Sequence, residues 1–233
     1  MNTRTLIWDW PVRLFHWSLA ASFAGAWLTA DSERWLNVHI GFGYTMAGLI
    51  AFRVLWGIIG TRHARFTDFI RGPAAVVRYL RSLLTPHPEP HAGHNPLGAI
   101  AVILLLSLGL ATAASGWAMY NELGGEWLEE VHEILASVML GVVVMHVGGV
   151  IFSSLRHREN LIAGMFTGYK PGHDGEGIRT TRPLVAVLML VTLGGFWAWT
   201  LNTPPAGALE NAPGTGQLDA RTDHDHADKQ DDD

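Results

Sequence analysis

Cysteine is the most informative absence from this chain of 233 residues, because there is none. Without thiols the chain has no disulfides, iron–sulfur clusters, thiolate metal sites or covalently attached c-type haem. Charged residues are also scarce, at 16% of the chain, whereas soluble domains contain about 25%. This composition argues against a water-soluble enzyme. Any redox centre must use histidine, methionine or carboxylates, and the chain has 12 histidines.

The chain contains several long runs of apolar residues. About 20 apolar residues cross the hydrocarbon core of a bilayer, so the runs predict transmembrane helices at residues 12–30, 38–59, 97–117, 128–152 and 183–201. The first run also resembles a secretory signal ending at Ala30, but its tryptophans are bulky for a signal core, and we expect it to be retained. Residues 202–233 are rich in Pro, Gly and Asp and are expected to form a disordered tail.

Basic residues are concentrated on one side of the predicted spans. The connections at 60–96 and 156–182 each carry five Lys or Arg residues, whereas the connection at 118–127 carries glutamates and no base. Cytoplasmic loops collect Lys and Arg, so we expect the N-terminus in the cytoplasm and the C-terminus outside. Within the first of these connections, Thr67–Leu84 predicts an amphipathic helix along the membrane surface.

Four histidines lie inside the predicted spans: His16, His39, His132 and His146. Ionisable side chains within spans are rare and usually functional. The predicted depths pair His16 with His146 near the cytoplasm and His39 with His132 near the outer side. His132 and His146 are separated by about 21 Å of helix rise and by a rotation about 40° short of four turns, so they project from nearly one face.

This arrangement is typical of two haems stacked across a bilayer, each held by one imidazole of the fourth helix and one of a neighbour. Two imidazoles leave no open position on the iron, which suits electron transfer, and without a thiol the haem is of b type. The alternatives are hydrogen-bonded packing histidines and zinc, which prefers four clustered ligands. Several glycines either make room for a flat macrocycle or permit close helix packing: Gly41, Gly43, Gly48, Gly141, Gly148 and Gly149.

Five ordered segments resemble the bacterial cytochrome b561 family, with the b-type cytochrome subunits of nickel-iron hydrogenases. They are WDWPVRLFHW, VHIGFGYTMAGLIAFRVLWGIIG, RHARFTDFIRGP, GHNPLG and VHEILASVMLGVVVMHV. The resemblance implies an inner-membrane domain at residues 1–171 with a four-helix core holding two haems b. It also implies electron exchange between a quinone pool and a redox partner. The fifth helix and the tail are additions that leave the identity of the partner open.

Other polar residues have two interpretations each. Arg13, Arg53 and Arg156 are candidates to bind haem propionates, as is Arg34, although snorkelling at the interface also explains them. His94 and Asn95 are candidates for a quinone site, while Asn95 before Pro96 also predicts a helix N-cap. The remaining histidines are interpreted as solvated loop residues: His63, His87, His91, His157 and His173. An outer acidic face is either simply solvated or a docking patch: Glu122, Glu126, Glu129, Glu130 and Glu133.

The sequence therefore predicts an all-α integral membrane di-haem b-type cytochrome that carries electrons between the quinone pool and a redox partner. The partner is a cytochrome c or a membrane-bound dehydrogenase or hydrogenase, and we expect no nucleic-acid partner. One alternative is an anchor subunit of a hydrogenase or dehydrogenase, which would co-purify with it. A stand-alone superoxide/quinone oxidoreductase would instead turn over alone. A haem-free transporter is disfavoured because the spans contain no carboxylate pathway.

Overall fold

The computed structural model describes residues 3–86, 88–172 and 175–203. The predicted tail lies almost wholly outside these residues. Residues up to Leu193 form one compact unit, to which all the packing described below belongs. In chain order the elements are β1 (Thr3–Leu6), α1 (Trp10–Thr29), α2 (Leu36–Ile59), α3 (Phe66–Phe69), α4 (Pro73–Leu83), α5 (Pro96–Tyr120), α6 (Trp127–His157), α7 (Leu161–Thr167), β2 (Tyr169–Gly172) and α8 (Pro183–Asn202), with short 3-10 turns at Glu33–Trp35 and Arg62–Ala64.

Four helical segments are long and apolar enough to cross a membrane: Glu33–Ile59, Pro96–Tyr120, Trp127–His157 and Pro183–Asn202. The predicted all-α membrane class is confirmed, but the predicted addition of a fifth span is not supported by this count of four. Among the described helices, α1 has a sufficient length of 20 residues but is not one of the four. The mean hydropathy of α1 is lowered by its polar and amphipathic residues, which are Arg13, His16 and several tryptophans.

Direct helix packing joins α1 to α2, α2 to α5, and α5 to α6. The core of this arrangement is built by Phe15, Leu49, Ile50 and Leu106, with Met189 of α8 packed beside them. Close packing of α6 on α1 or α2 is not found in the described part of the chain. Contact of α6 with these two helices therefore depends on side chains that reach across, which is where the histidines lie.

A two-stranded antiparallel sheet ties the N-terminus to the end of this domain, with Thr3 opposite Gly172 and Leu6 opposite Tyr169. The carbonyl oxygen of Gly168 accepts hydrogen bonds from the backbone N–H groups of Ile7 and Trp8. Gly168 has a φ of 87°, and a Cβ there would lie 2.8 Å from the Trp8 carbonyl oxygen. Sequence patterns did not predict this sheet, because four-residue strands show little alternation and their partners are distant in the chain.

The predicted surface helix at Thr67–Leu84 is wrong in its extent. The segment instead forms α3 and α4, separated by an extended backbone at Gly72. α3 ends at Phe69, since the backbone of Ile70 is already extended. Pro73 fits the first turn of α4 and disfavours helical backbone at Gly72, which keeps the two helices apart. The exposed face of α4 carries Arg78 and Arg81, while Tyr79 is buried against the domain.

Candidate functional site

The structure brings the four span histidines together in two pairs. The ring centroids of His16 and His146 are 6.4 Å apart, and we call these residues the α1–α6 pair. Those of His39 and His132 are 6.2 Å apart, and we call these the α2–α6 pair. These are the pairs that the sequence predicted from depth. Their role as haem ligands stays a prediction.

The spacing within each pair fits two imidazoles on opposite sides of one metal. Imidazole nitrogen binds zinc at about 2.0–2.1 Å, and a similar bond on each side of a single ion holds the two ring centroids about 6.4 Å apart. Both observed distances lie close to this value. Direct ring stacking would bring the rings closer together, whereas the two pairs are tilted by 53° and 71°. The donor set therefore fits an iron bound by two histidines at each pair.

Hydrogen bonds fix the tautomers of the α2–α6 pair. His39 Nδ1 lies 2.9 Å from the Ala26 carbonyl oxygen, which accepts only, so Nδ1 carries the proton. His132 Nδ1 lies 2.9 Å from the Ser115 hydroxyl, and that hydroxyl donates its own proton to the Thr112 carbonyl oxygen. The Ser115 oxygen therefore accepts from His132 Nδ1. In both rings the Nε2 lone pair is left free for a metal.

The α1–α6 pair has a different environment. His16 packs edge-on against Trp17, which in turn stacks on Phe166 at 4.2 Å. His16 Nδ1 and Trp17 Nε1 are buried without a hydrogen-bond partner among the described residues. No hydrogen bond to His146 occurs within the same residues. The two pairs thus differ in what supports their imidazoles.

Arg53 is a buried cation of this region. It is 2% exposed, its guanidinium lies over the rings of Phe66 and Phe69, and its Nη1 has no partner within the described chain. Arg53 follows His39 by 14 residues, so it lies on nearly the same face of α2 about 21 Å further along. That places it at the depth of the α1–α6 pair. A buried and incompletely satisfied guanidinium fits a carboxylate such as a haem propionate.

Asp9 is a residue of this region that sequence reasoning missed. Its carboxylate is fully buried and accepts hydrogen bonds from the Val12 backbone N–H at 2.8 Å, Trp56 Nε1 at 3.0 Å and Thr61 Oγ1 at 2.7 Å. It caps α1 and joins the start of that helix to the end of α2. An Asp two residues before Pro11 is a helix N-cap signal. The contacts of Asp9 with the end of α2, in contrast, cannot be predicted from the neighbouring residues.

Glycines leave space along α2 and α6. A Cβ added at Gly43 or Gly48 of α2, or at Gly141, Gly148 or Gly149 of α6, would meet no atom within 4 Å. These positions therefore do not serve close helix packing inside the domain, which was the alternative explanation for them. They are compatible with the approach of a flat macrocycle or of lipid.

Two of the predicted propionate ligands are engaged elsewhere. Arg13 donates from Nε to the Met165 carbonyl oxygen at 3.2 Å and lies over the Trp10 ring. Arg156 donates to the carbonyl oxygens of Leu83, Thr85 and Pro86, which lie at and beyond the end of α4. The guanidinium of Arg156 thus stabilises the C-terminus of a surface helix. Arg34 is exposed and lies over the Trp35 ring. Of the four predicted arginines, Arg53 remains the best candidate for a propionate.

The predicted N-cap at Asn95 is confirmed, since its side-chain oxygen accepts from the Gly98 backbone N–H at 2.7 Å. His94 beside it is enclosed by Trp8 and Phe69, whose rings lie 4.7 and 4.5 Å away. His94 Nδ1 is buried without a partner in the described residues. Burial lowers the pKa of His94 to about 3, and the positive charge of Arg53 adds to this effect. His94 is therefore neutral at physiological pH.

Three of the histidines interpreted as solvated are not. His63 is 3% exposed, with Nδ1 2.9 Å from an Asp68 carboxylate oxygen and Nε2 2.7 Å from the Glu176 carbonyl oxygen. His91 and His157 are half-buried and both contact the Tyr79 ring, and burial lowers the pKa of His91. Each is fixed by contacts distant in the chain. The other two, His87 and His173, lie outside the described residues.

The five glutamates of the predicted acidic face are exposed, as expected for solvated carboxylates: Glu122, Glu126, Glu129, Glu130 and Glu133. Their role in docking stays a prediction. Zinc would need a cluster of ligands, and within residues 3–86, 88–172 and 175–203 no three His, Cys, Asp or Glu side chains come together for a metal. The paired histidines stay the candidate metal ligands of the described chain.

Comparisons with known proteins agree with this geometry. The chain is similar to the "Probable Ni/Fe-hydrogenase B-type cytochrome subunit" of Rhodobacter capsulatus, at 21% identity over 74% of this chain and 84% of the relative. The protein of the same description from Azotobacter vinelandii is 25% identical over 74% of this chain and 91% of its own length. No solved structure matches significantly. The sequence profile described as "Prokaryotic cytochrome b561" matches residues 7–168, and the chain therefore belongs to the prokaryotic cytochrome b561 family.

Proposed function

We propose that this membrane cytochrome binds two haems b, one at the α1–α6 pair and one at the α2–α6 pair, and carries electrons between them. The observation that supports this most directly is the spacing of the two ring pairs, 6.4 and 6.2 Å between centroids. Both pairs connect helices that do not pack closely on each other in the described chain. A haem with two histidine ligands supplies one-electron transfer without an open site for oxygen.

Three helices supply the residues that would hold the two haems. His132 and His146 present one imidazole each from α6, while His16 and His39 present the opposing imidazoles from α1 and α2. We propose that α1 crosses the membrane with α2, since it packs along that helix and carries His16 at its cytoplasmic end. The guanidinium of Arg53 would bind a propionate at the α1–α6 pair.

A quinone site beside His94 completes this proposal. His94 offers a buried Nδ1 without a described partner between two aromatic rings, and it lies within electrostatic reach of both histidines of the α1–α6 pair. A flat apolar ring with a polar carbonyl matches such a wall of aromatics with one hydrogen-bonding group. Asn95 lies next to it, although its side-chain oxygen is used by the helix cap.

Pigment measurements test the di-haem proposal. We expect a pyridine haemochrome assay of the purified protein to give two haems b per chain. His39→Ala should leave one haem, and the double variant His132→Ala/His146→Ala should leave none. His157→Ala, a histidine at the end of the same helix but outside both pairs, is the matched control. A colourless protein, or full pigment in the double variant, would show that the proposal is wrong.

The quinone proposal needs its own measurement. We expect a quinol analogue to reduce the cytochrome in membranes, and His94→Gln to slow that reduction at least tenfold while leaving the haem content unchanged. Asn121→Asp, far from this site at the end of α5, serves as a control for a single polar change. Unchanged reduction kinetics in His94→Gln would show that the quinone does not bind beside His94.

A hydrogenase is the partner that the comparisons favour, because the named relatives are described as hydrogenase cytochrome subunits. We propose that the chain exchanges electrons with a hydrogenase-type or other dehydrogenase partner, with a cytochrome c as the alternative. Isolation from native membranes under mild detergent should bring down a large redox protein in near-equal amount. Turnover of superoxide by the isolated chain would favour the stand-alone oxidoreductase instead.

The orientation is also a proposal. We place the arginine-rich connections, and with them the N-terminus, on the cytoplasmic side of the inner membrane because such loops retain Lys and Arg. The predicted periplasmic C-terminus lies outside the described residues. Protease treatment of sealed inverted vesicles should cleave at the segment between α4 and α5. Protection of this segment in inverted vesicles, with cleavage in right-side-out spheroplasts, would reverse the orientation.

A further inference from the structure

A cavity of about 410 Å³ opens between the end of α2 and the segment that leads into α8. It is separate from the histidine pairs and from His94. Four arginines line it, and no acidic side chain is among its described lining residues: Arg62, Arg65, Arg179 and Arg182. The rest of the lining is glycine, threonine and isoleucine, which leaves the guanidinium groups as the dominant chemistry of the cavity.

The described residues compensate little of the positive charge of this cavity. Arg62 is partly neutralised, with its Nε 3.6 Å from an Asp68 carboxylate oxygen and its Nη1 donating to the Gly175 carbonyl oxygen at 3.2 Å. Ion pairs between described residues do not include Arg65, Arg179 or Arg182. Guanidinium groups bind phosphate bidentately, and several around one cavity favour a phosphate-bearing anion.

The position of the cavity points to the source of such an anion. Gly60 directly follows the candidate span Glu33–Ile59, and Arg182 directly precedes the candidate span Pro183–Asn202. The cavity is therefore bounded by the ends of two helices where each leaves the hydrocarbon layer. That is the level of lipid headgroups. Basic pockets between membrane helices at this level bind the headgroups of anionic lipids.

We propose that this cavity binds the phosphate of an anionic phospholipid headgroup. Phosphatidylglycerol and cardiolipin carry net negative charge, whereas phosphatidylcholine would place a cationic group against the arginines. Inorganic phosphate shares the recognised chemistry but lacks the acyl chains that would lie along α2 and α8. The proposal does not depend on the haem or quinone assignments, so its failure would leave those unaffected.

The test compares two double variants with the same loss of charge. Arg65→Gln/Arg179→Gln removes half of the cavity arginines, while Arg71→Gln/Arg81→Gln removes two surface arginines outside it. Binding of cardiolipin to the detergent-purified protein is titrated by native mass spectrometry, with phosphatidylcholine as the reference lipid. Each interfacial arginine adds to the free energy of binding an anionic lipid. The loss of two arginines should therefore weaken cardiolipin binding roughly thirty-fold. The surface variant should change it less than twofold.

A separate arm titrates inorganic phosphate against bound cardiolipin. Failure of phosphate to displace the lipid at roughly hundredfold excess supports the lipid headgroup as the ligand, and full displacement would overturn the lipid assignment. Arg65→Lys/Arg179→Lys keeps the charge but loses the bidentate geometry of the guanidinium groups. It should bind cardiolipin more tightly than the glutamine variant and less tightly than the parental protein, which separates charge loss from misfolding. Equal cardiolipin binding by the cavity variant and the parental protein, or an equal loss in the surface variant, would overturn the site itself.

Discussion

Ser115 offers a way to alter the α2–α6 pair without touching a histidine. Its hydroxyl donates to the Thr112 carbonyl oxygen at 2.9 Å and accepts from His132 Nδ1 at 2.9 Å. Ser115→Ala removes that acceptor from a site where the serine is 7% exposed, so water has little access to replace it. The imidazole of His132 then loses part of the hydrogen bonding that makes it a strong electron donor to a metal.

The size of the effect follows from the hydrogen bond that is lost. A hydrogen bond of this kind contributes about 1 kcal/mol, which corresponds to roughly 40 mV for a one-electron couple. A stronger donor ligand favours the oxidised metal, so its weakening raises the potential. We expect the midpoint potential of the α2–α6 site to rise by about 20–40 mV.

Spectroelectrochemical titration of the purified protein measures this shift. The affected site is identified by repeating the titration in the His16→Ala background, which we expect to hold only the α2–α6 haem. Ser153→Ala is the matched control, since Ser153 is a buried helical serine that contacts His157 rather than either pair. A potential that falls, or a shift confined to the α1–α6 site, would refute the assignment of this hydrogen bond.

Three further predictions concern single residues. Gly116→Ala places a Cβ 3.0 Å from His132 Cε1, so we expect a displaced ring and a changed optical spectrum of the α2–α6 site. The control variant Gly194→Ala meets no atom within 4 Å and should leave that spectrum unchanged. Asp9→Asn leaves a buried donor unpaired and should destabilise the protein by about 1–3 kcal/mol in detergent unfolding; an unchanged midpoint would contradict this. The pKa of His94 is about 3 when folded and 6.5 ordinarily, so the unfolded chain binds a proton first. Stability should therefore fall as pH drops from about 6.5 towards 3, by up to about 1.4 kcal/mol per pH unit, and His94→Gln should flatten that slope.

The pairing of the span histidines could be predicted because helix geometry is regular. Two residues 14 apart on one straight helix share a face and differ in depth by about 21 Å, so His132 and His146 require partners at two levels. The same spacing separates His39 from Arg53 and places Arg53 at the depth of the α1–α6 pair. Helix boundaries were also close, since α2 begins at Leu36 and ends at Ile59.

Interactions between distant segments could not be predicted in the same way. Lys170 is 6% exposed and donates to the carbonyl oxygens of His91 and Ala92, while pairing with Glu159 at 3.4 Å. Nothing in the residues around Lys170 distinguishes it from an exposed interfacial lysine. The burial of His63 likewise depends on the Glu176 carbonyl oxygen, which lies far along the chain. Local sequence patterns predict helix periodicity and helix caps, but they do not predict which loops contact each other.

The two histidine pairs differ in a way that predicts the order of their potentials. Both imidazoles of the α2–α6 pair donate from Nδ1, to Ala26 and Ser115, whereas His16 Nδ1 has no described partner. Hydrogen-bonded imidazoles favour the oxidised metal, so we expect the α1–α6 site to have the higher potential. A haem held by the α2–α6 pair would then be the electron donor to a haem held by the α1–α6 pair. A titration in which His16→Ala removes the lower-potential component would show that these hydrogen bonds do not set the order.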